Sequence, residues 1–246
     1  LQKYYQLYRS ILGVKKLKMY DLSASVETNS KFYTVEDAQN YVIEATKVLG
    51  DDYTEIVKKG IQERWIDYMP YKGKQSGGYS LSVYPETSNI LLSFNGVFDN
   101  VSTIAHEMGH AVNAYFAFSN NELEYAYHDP VLGEIASLSN EIYLASYVIN
   151  HEDFSKEEKI SVIIELLRTI NSNFFGAVME NELEEIVYQK LDNGEVVTSD
   201  DLSKIMDDAT DKFYGDMIEK NEFVKYMWIP RSHYYRPYYL YKYATS

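Results

Sequence analysis

The segment that most constrains this chain is His106-Glu107-Met108-Gly109-His110. In an α-helix, residues four positions apart lie one turn apart on the same face, so His106 and His110 can reach one metal ion. Glu107 then lies beside the same small volume. The chain has 246 residues but only five histidines, and two of them are in this segment. We therefore expect a helix that binds a metal ion through two imidazoles.

The same five residues match the H-E-x-x-H pattern of zinc peptidases. In that pattern two histidines hold the zinc ion, and the glutamate handles the proton of a zinc-bound water molecule. The ordinary alternative is a pair of exposed histidines on a solvated helix face. The two interpretations differ in one requirement, because a catalytic zinc site needs a third protein ligand.

Glu134 is the candidate for that third ligand. Asp129 is a good N-cap and Pro130 suits the first helical position, so Glu134 falls in the opening turns of a second helix. Glu141 lies seven residues later on nearly the same face, where it can accept the second N–H of a zinc-bound histidine. Without the first motif, two surface glutamates would be the more usual interpretation, since helical glutamates are mostly solvated.

The amino-acid composition and net charge limit the classes of binding partner that we expect. The formal net charge of −14 and the pI near 4.8 argue against nucleic acid and anionic membranes, because both attract basic patches. The absence of cysteine excludes disulfides and thiolate metal sites, and it is compatible with a cytoplasmic location. We also expect no membrane span, because no apolar run is long enough to cross a bilayer.

The pattern of apolar residues predicts one compact, mainly helical domain over residues 1–246. Apolar residues recur at helical spacing near the start of the chain, before the first motif and again after residue 155. No internal repeat or low-complexity linker interrupts them. The sequence begins at Leu1 without a methionine or a signal-peptide pattern, so we interpret it as a piece of a longer chain.

Residues 79–94 carry the clearest β signal. Leu81 and Val83 alternate with Ser80 and Ser82, and a turn at residues 85–88 leads into a second run. We expect a hairpin beside the metal-binding helix. Two interpretations of it stay open: a small sheet that covers the core, or an edge strand that pairs with an extended peptide and lays it across the metal.

The end of the chain is dense in neutral hydrogen-bond donors, with six tyrosines and one histidine in residues 233–243. A zinc peptidase needs such donors to stabilise the oxyanion that forms when water adds to the peptide carbonyl. The usual interpretation of a lone histidine in an aromatic segment is packing or exposure to solvent. The candidate donors are His233, Tyr235, Tyr238, Tyr239 and Tyr241.

Taken together, these motifs resemble oligoendopeptidase F, a family that belongs with the thimet oligopeptidases. The resemblance is carried by the H-E-M-G-H helix, by residues 134–141, by the Gly-Gly-Tyr-Ser sequence before that helix and by the aromatic ending. It covers nearly the whole chain in order and corresponds to the catalytic C-terminal half of the family. It implies a mainly α, zincin-like metallopeptidase domain with a small β-hairpin beside the zinc helix.

The resemblance also implies the roles of individual residues. One zinc ion would be held by His106, His110 and Glu134, with Glu107 as the catalytic base. His233 and Tyr241 would stabilise the transition state, with help from Tyr235 or Tyr238. One departure is Asn113, where many bacterial members carry a further histidine. We expect activity despite it, because the downstream glutamate supplies the third ligand.

The predicted function is zinc-dependent hydrolysis of short peptides, in which Glu107 activates a zinc-bound water. A runner-up of another class is a zinc-bearing helical module that binds peptides without cleaving them, because the wall of the channel formed by the N-terminal half of the family is missing. A closed structural metal site is less favoured, since two histidines and one carboxylate leave a position open for water. The expected partners are short peptides, without nucleic acid or membrane.

Overall fold

The computed structural model describes residues 1–24, 31–75, 77–85, 88–127 and 129–246, and this part of the chain is mainly helical. Its helices and strands are, in chain order, α1 (Gln2–Leu12), β1 (Leu17–Lys18), α2 (Val35–Thr46), α3 (Asp51–Gln62), β2 (Ile66–Asp67), β3 (Tyr79–Ser82), β4 (Ser88–Leu91), α4 (Phe98–Asn120), α5 (Leu123–Ala126), α6 (Pro130–Asn150), α7 (Lys156–Ile170), α8 (Ala177–Asp192), α9 (Ser199–Tyr214), β5 (Ile218–Glu219) and α10 (Tyr241–Thr245).

Local sequence signals set the ends of several helices. The Thr34 hydroxyl accepts the Asp37 N–H at the start of α2, and the Asp37 carboxylate accepts the Thr34 N–H in return. Ser155 and Glu158 exchange the same two hydrogen bonds at the start of α7. Gly13 ends α1 in the left-handed conformation, at φ 66°. Each of these helix ends depends on residues within one turn of the chain.

The chain divides into two compact units, and each is described by itself. The first unit comprises Leu1–Val26 and Leu167–Thr245, and the second comprises Glu27–Leu166 with Ser246. The mainly helical fold class that the sequence predicts is confirmed. The assignment of residues 1–246 to one domain stays a prediction.

In the second unit, α4 is the central helix and lies against α2, α6 and the sheet. One face of α4 is fully buried at helical spacing, as expected for a helix that is covered on several sides. The apolar side chains that meet in this core include Val42, Val57, Ile90, Val101, Ile104, Met108, Val112, Leu144 and Val148.

The sheet of this unit has three strands in the order β2-β4-β3, with β2 parallel and β3 antiparallel to β4. The predicted hairpin is confirmed, although residues 86 and 87 of its turn lie outside the described residues. Strand β2 was not predicted, because two residues are too few to show an alternating pattern. Within the described part of the chain, β3 has a paired strand on one side only.

The apolar face of β3 points away from α4. The Ser82 and Ser88 hydroxyls contact each other, and the Ser88 hydroxyl donates to the Ala111 carbonyl of α4 at 3.5 Å. The serine face of β3 is therefore the face toward the helix. Leu81 and Val83 lie on the opposite face and are 61% and 50% exposed. This reverses the usual arrangement, in which the apolar side of a strand is buried.

The first unit is built from α1, α8, α9 and α10 with a two-stranded sheet, in which β1 pairs in parallel with β5. Its apolar side chains form two clusters. Tyr5 and Tyr8 of α1 pack with the paired strands in one of them. Leu183 of α8 packs with Ile205 and Met206 of α9 in the other.

One continuous helical stretch of the described residues, Lys156–Asp192, is long and apolar enough to cross a membrane by length and composition. It consists of α7, a π-helical segment at Asn171–Gly176, and α8. This differs from our expectation that no such stretch exists. A single helix that passes this test is weak support for a membrane span, since helices of soluble proteins pass it as well.

Candidate active site

Helices α4 and α6 bring the three predicted metal ligands together. His106 Nε2 lies 3.2 Å from His110 Nε2, because the two residues are one turn apart on α4. Glu134 Oε2 on α6 lies 3.6 Å from His106 Nε2 and 3.5 Å from His110 Nε2. The start of α6 is fixed as the sequence predicts, with the Asp129 carboxylate accepting the Val131 N–H.

These separations fit a zinc ion. Zinc binds imidazole nitrogen and carboxylate oxygen at about 2.0–2.1 Å, so two ligands of a tetrahedral site lie about 3.3 Å apart. The three measured separations bracket that value. Glu134 is only 3% exposed, and a buried carboxylate needs a nearby cation to compensate its charge. The donor set therefore suits a divalent zinc ion.

Glu141 holds the other nitrogen of the His106 ring. Its Oε1 atom lies 2.6 Å from His106 Nδ1, which leaves Nε2 directed toward His110 and Glu134. Burial lowers the pKa of His106, but the hydrogen bond to Glu141 and the charges of Glu141, Glu107 and Glu134 outweigh burial, so its pKa is raised. The electrostatic potential at this imidazole is therefore negative, which favours the binding of a cation.

A second contact orients the carboxylate of Glu134, the predicted ligand. The Ser137 hydroxyl lies 3.0 Å from Glu134 Oε2 and also 3.0 Å from the Glu134 carbonyl oxygen, one turn away on the same helix. Ser102 of α4 donates to Glu141 Oε2 at 3.4 Å. Each of the two glutamates of α6 is therefore oriented by a serine hydroxyl group.

Glu107 is buried next to the three ligands and is 5% exposed. Burial raises the pKa of its carboxyl group to about 7, and the charges of Glu134 and Glu141 act in the same direction. His106 and the Ser80 backbone N–H, which donates to the carboxylate, act against that rise. A carboxyl group with a pKa near neutrality can both accept and return a proton at physiological pH.

Gly109 allows α4 and α6 to approach closely at the site. A Cβ atom at this position would lie 2.6 Å from Ser137 Cα and 2.7 Å from the Ala136 carbonyl oxygen, which are backbone positions that cannot move aside. One turn farther along α6, the Asn140 amide donates to the Ala105 carbonyl at 3.0 Å. The Tyr53 hydroxyl of α3 donates to the other end of that amide at 3.0 Å.

Sequence reasoning did not identify these supporting residues. Ser137, Ser102, Gly109 and Asn140 carry no motif of their own, and their partners lie on other turns or other helices. The glycine inside the H-E-x-x-H segment was the one available signal, because glycine in a helix interior usually marks a close approach.

The predicted oxyanion donors belong to the first unit. His233 stacks on Tyr239 at 4.9 Å between ring centroids. Tyr235 and Tyr238 are exposed, and the Tyr238 N–H donates to the buried Glu184 carboxylate. Tyr241 begins α10 and is 38% exposed. Their relation to the metal ligands stays a prediction.

The fold and the site together define a class: a mainly helical protein with a His₂Glu group of the kind that holds a catalytic metal ion. The family model "Peptidase family M3" matches residues 1–246. The chain therefore belongs to Peptidase family M3.

Curated relatives and solved structures agree with this assignment. Oligopeptidase PepF of Bacillus subtilis is 29% identical over the whole chain, and Group B oligopeptidase PepB of Streptococcus agalactiae is 31% identical. A crystal structure from Chlamydophila abortus aligns over 99% of the chain with a TM-score of 0.79 and 31% identity. Oligoendopeptidase-F from Enterococcus faecium shares the fold, with 24% identity, 99% of the chain covered and a TM-score of 0.65.

The chain matches only part of these proteins. It spans 37% of the length of the Bacillus relative and 41% of the Streptococcus relative. The two solved structures are covered to a similar extent, 41% and 36%. The resemblance to oligoendopeptidase F is confirmed, including its restriction to a portion of the family's chain.

Proposed function

We propose that this chain is the catalytic portion of a zinc-dependent endopeptidase that hydrolyses short peptides in the cytoplasm. The observation that carries this proposal is the convergence of His106, His110 and Glu134 beside the buried carboxyl group of Glu107. Three protein ligands leave the fourth position of a tetrahedral zinc site open for chemistry. Membership of a peptidase family supports the reaction class.

In this proposal, His106, His110 and Glu134 hold one zinc ion, and Glu141 keeps His106 in the tautomer that presents Nε2. When bound, zinc supplies Lewis acidity, which favours deprotonation of water and polarises the peptide carbonyl. The Glu107 carboxylate takes the proton of the water that attacks this carbonyl. It then returns the proton to the nitrogen of the leaving amine, as its pKa near 7 allows.

The oxyanion of the intermediate needs further hydrogen-bond donors. We assign this role to His233 and Tyr241, with Tyr235 or Tyr238 as additional donors. A neutral histidine donates through one ring N–H, and a tyrosine donates through its O–H. These four side chains therefore stabilise a developing negative charge without placing a positive charge in the site. What supports the assignment is their density at the end of the chain and the resemblance to oligoendopeptidase F.

Strand β3 supplies a place for the substrate backbone. It is paired only with β4 among the described residues, and its Ser80 N–H reaches the Glu107 carboxylate. An extended peptide that pairs with β3 therefore passes directly beside the proposed base, which favours the edge-strand interpretation of the hairpin. The runner-up, a module that binds peptides without cleaving them, is not favoured, because it leaves the buried Glu107 without a role.

The test is mass-spectrometric analysis of a pool of short peptides incubated with the chain, with a metal chelator, and with zinc added back. We expect cleavage that the chelator abolishes and zinc restores. Metal content is measured on the same samples. Intact peptides in the presence of stoichiometric zinc would contradict the proposal for this chain, as would cleavage that chelation leaves unchanged.

A further inference from the structure

Backbone hydrogen bonds show which groups of β3 face away from β4. The Ile90 N–H of β4 donates to the Trp65 carbonyl at 2.7 Å, so the backbone groups of Ile90 point toward the β2 side and away from β3. Ile90 lies opposite Ser80 in the antiparallel pair. Ser80 is therefore in a non-hydrogen-bonded pair, and its own N–H and C=O point outward. Ser82, two residues later and opposite Ser88, has the same orientation.

The outward-facing edge of β3 has a backbone contact with another side chain at each end. At one end the Ser80 N–H is directed toward the Glu107 carboxylate, beside Gly78, where an added Cβ atom would lie 3.3 Å from Glu107 Oε1. At the other end the Tyr84 N–H donates to the Tyr127 hydroxyl at 3.1 Å. Ser82 lies midway between these two contacts. A peptide strand added to this edge is therefore anchored at Ser82 and extends from the proposed base toward Tyr127.

The outer face of β3 is a row of apolar side chains. Tyr79, Leu81 and Val83 share the face opposite α4 and are 36%, 61% and 50% exposed. In a pair of strands, side chains that lie opposite each other on one face are in contact. Contacts are closest at non-hydrogen-bonded positions, and Leu81 occupies such a position when an antiparallel peptide bonds to Ser82. Every second side chain of the peptide then meets this row.

We propose that Leu81 and Val83 form a specificity surface that selects extended peptides with apolar side chains at alternate positions. This inference rests on the proposed function and names the class of substrate that the same site prefers. Two observations indicate that a peptide covers the apolar row. The backbone groups of Ser82 on the same strand point outward, and the start of that strand lies beside the Glu107 carboxylate. Coverage of the row by another part of a longer protein is the competing outcome.

The test compares two fluorescein-labelled short peptides of equal length and charge. One carries leucine at every second position with serine between, and the other carries serine throughout. Binding to the zinc-loaded Glu107→Gln variant is measured by fluorescence anisotropy. Cross-strand apolar pairs predict that the leucine peptide binds about three- to tenfold more tightly. The combined Leu81→Thr and Val83→Thr substitutions, which place a strand-favouring β-branched residue at both positions, should abolish that preference.

Val48→Thr is the matched control, because Val48 is an exposed valine in the helical turn after α2. The preference should survive this change. A preference that persists in the double variant, equal affinity for both peptides, or no binding of either would overturn the inference. Cleavage of both peptides by the zinc-loaded chain with Glu107 intact is followed in parallel. Selective binding without cleavage would contradict the proposed function alone, and cleavage without preference would contradict the specificity surface alone.

Discussion

The Nδ1 atom of His106 lies 2.6 Å from Oε1 of Glu141, and Glu141 lies on the same helix as Glu134, the proposed metal ligand. Seven residues separate the two glutamates, which is about two helical turns, so both face α4 from the same side of α6. In the proposed site, one helix therefore contributes a metal ligand and also orients a ligand on its neighbour. The position of α6 relative to α4 therefore determines both where Glu134 lies and how the His106 ring is oriented.

Glu141→Leu should weaken zinc binding about 10- to 100-fold, because the His106 ring loses the acceptor that fixes its tautomer and orientation. Glu141→Gln keeps an oxygen that can accept the same hydrogen bond, so its loss should be smaller. The zinc dissociation constant is measured by competition with a chromogenic chelator. Equal affinities in Glu141→Leu and the unchanged chain would show that Glu141 does not orient the ligand.

Glu107→Gln should retain zinc and lose turnover by about two to four orders of magnitude, the usual contribution of a positioned general base. The amide has nearly the same shape as the carboxyl group, so the buried site should still fold around it. Peptide cleavage and bound zinc are measured on the same preparation. Near-normal cleavage by the zinc-loaded variant would remove Glu107 from the mechanism.

Gly109→Ala should reduce zinc affinity and also lower the free energy of unfolding by about 1–3 kcal/mol, the cost of overpacking. The added methyl group meets the backbone of Ser137 and pushes α6, with Glu134, away from the two histidines. Gly176→Ala is the control, because the nearest atom that its methyl group would meet in the described part of the chain, apart from the adjacent backbone of its own helix, lies at 3.7 Å. The stability of both variants is measured by thermal unfolding, and their zinc affinity is measured by titration. Unchanged zinc affinity in Gly109→Ala would contradict this reasoning.

The elements that sequence reasoning identified correctly depend on residues close together in the chain. The H-E-x-x-H segment specifies its own geometry through the helical repeat. The N-cap Asp129 and the first-turn Pro130 specify where α6 begins, which places Glu134 and Glu141 on one face. For these parts of the site, only the packing of α4 against α6 could not be predicted from the sequence.

The residues that sequence reasoning missed act across helices or strands. Asn140 joins the carbonyl before His106 to the Tyr53 hydroxyl, and neither partner is near it in the chain. The alternation at residues 80–83 predicts a strand but not which face is buried. In this sheet the serine face packs on α4 and the apolar face is exposed. Such choices depend on tertiary packing, which overrides local pattern.

Stability at low pH should depend on Glu158, which is buried at the start of α7. Burial acts to raise its pKa, but hydrogen bonds from Lys31 at 2.8 Å and from Ser155 outweigh that effect, so the pKa is lowered from 4.5. A lowered pKa in the folded state means that the ionised carboxylate stabilises the fold. This stabilisation is complete above the unfolded-state pKa and is lost as the pH falls through the folded-state pKa.

Glu158→Gln should therefore lower the free energy of unfolding by about 1–3 kcal/mol at pH 7, the usual contribution of hydrogen bonds to a charged group. The difference from the unchanged chain should shrink as the pH falls below about 4.5, because protonation removes the same charge. Urea unfolding from pH 7 to pH 3 measures the difference. Glu152→Gln, at an exposed position after α6, should give a flat difference. A Glu158→Gln difference that stays constant with pH would show that the carboxylate charge does not stabilise the fold.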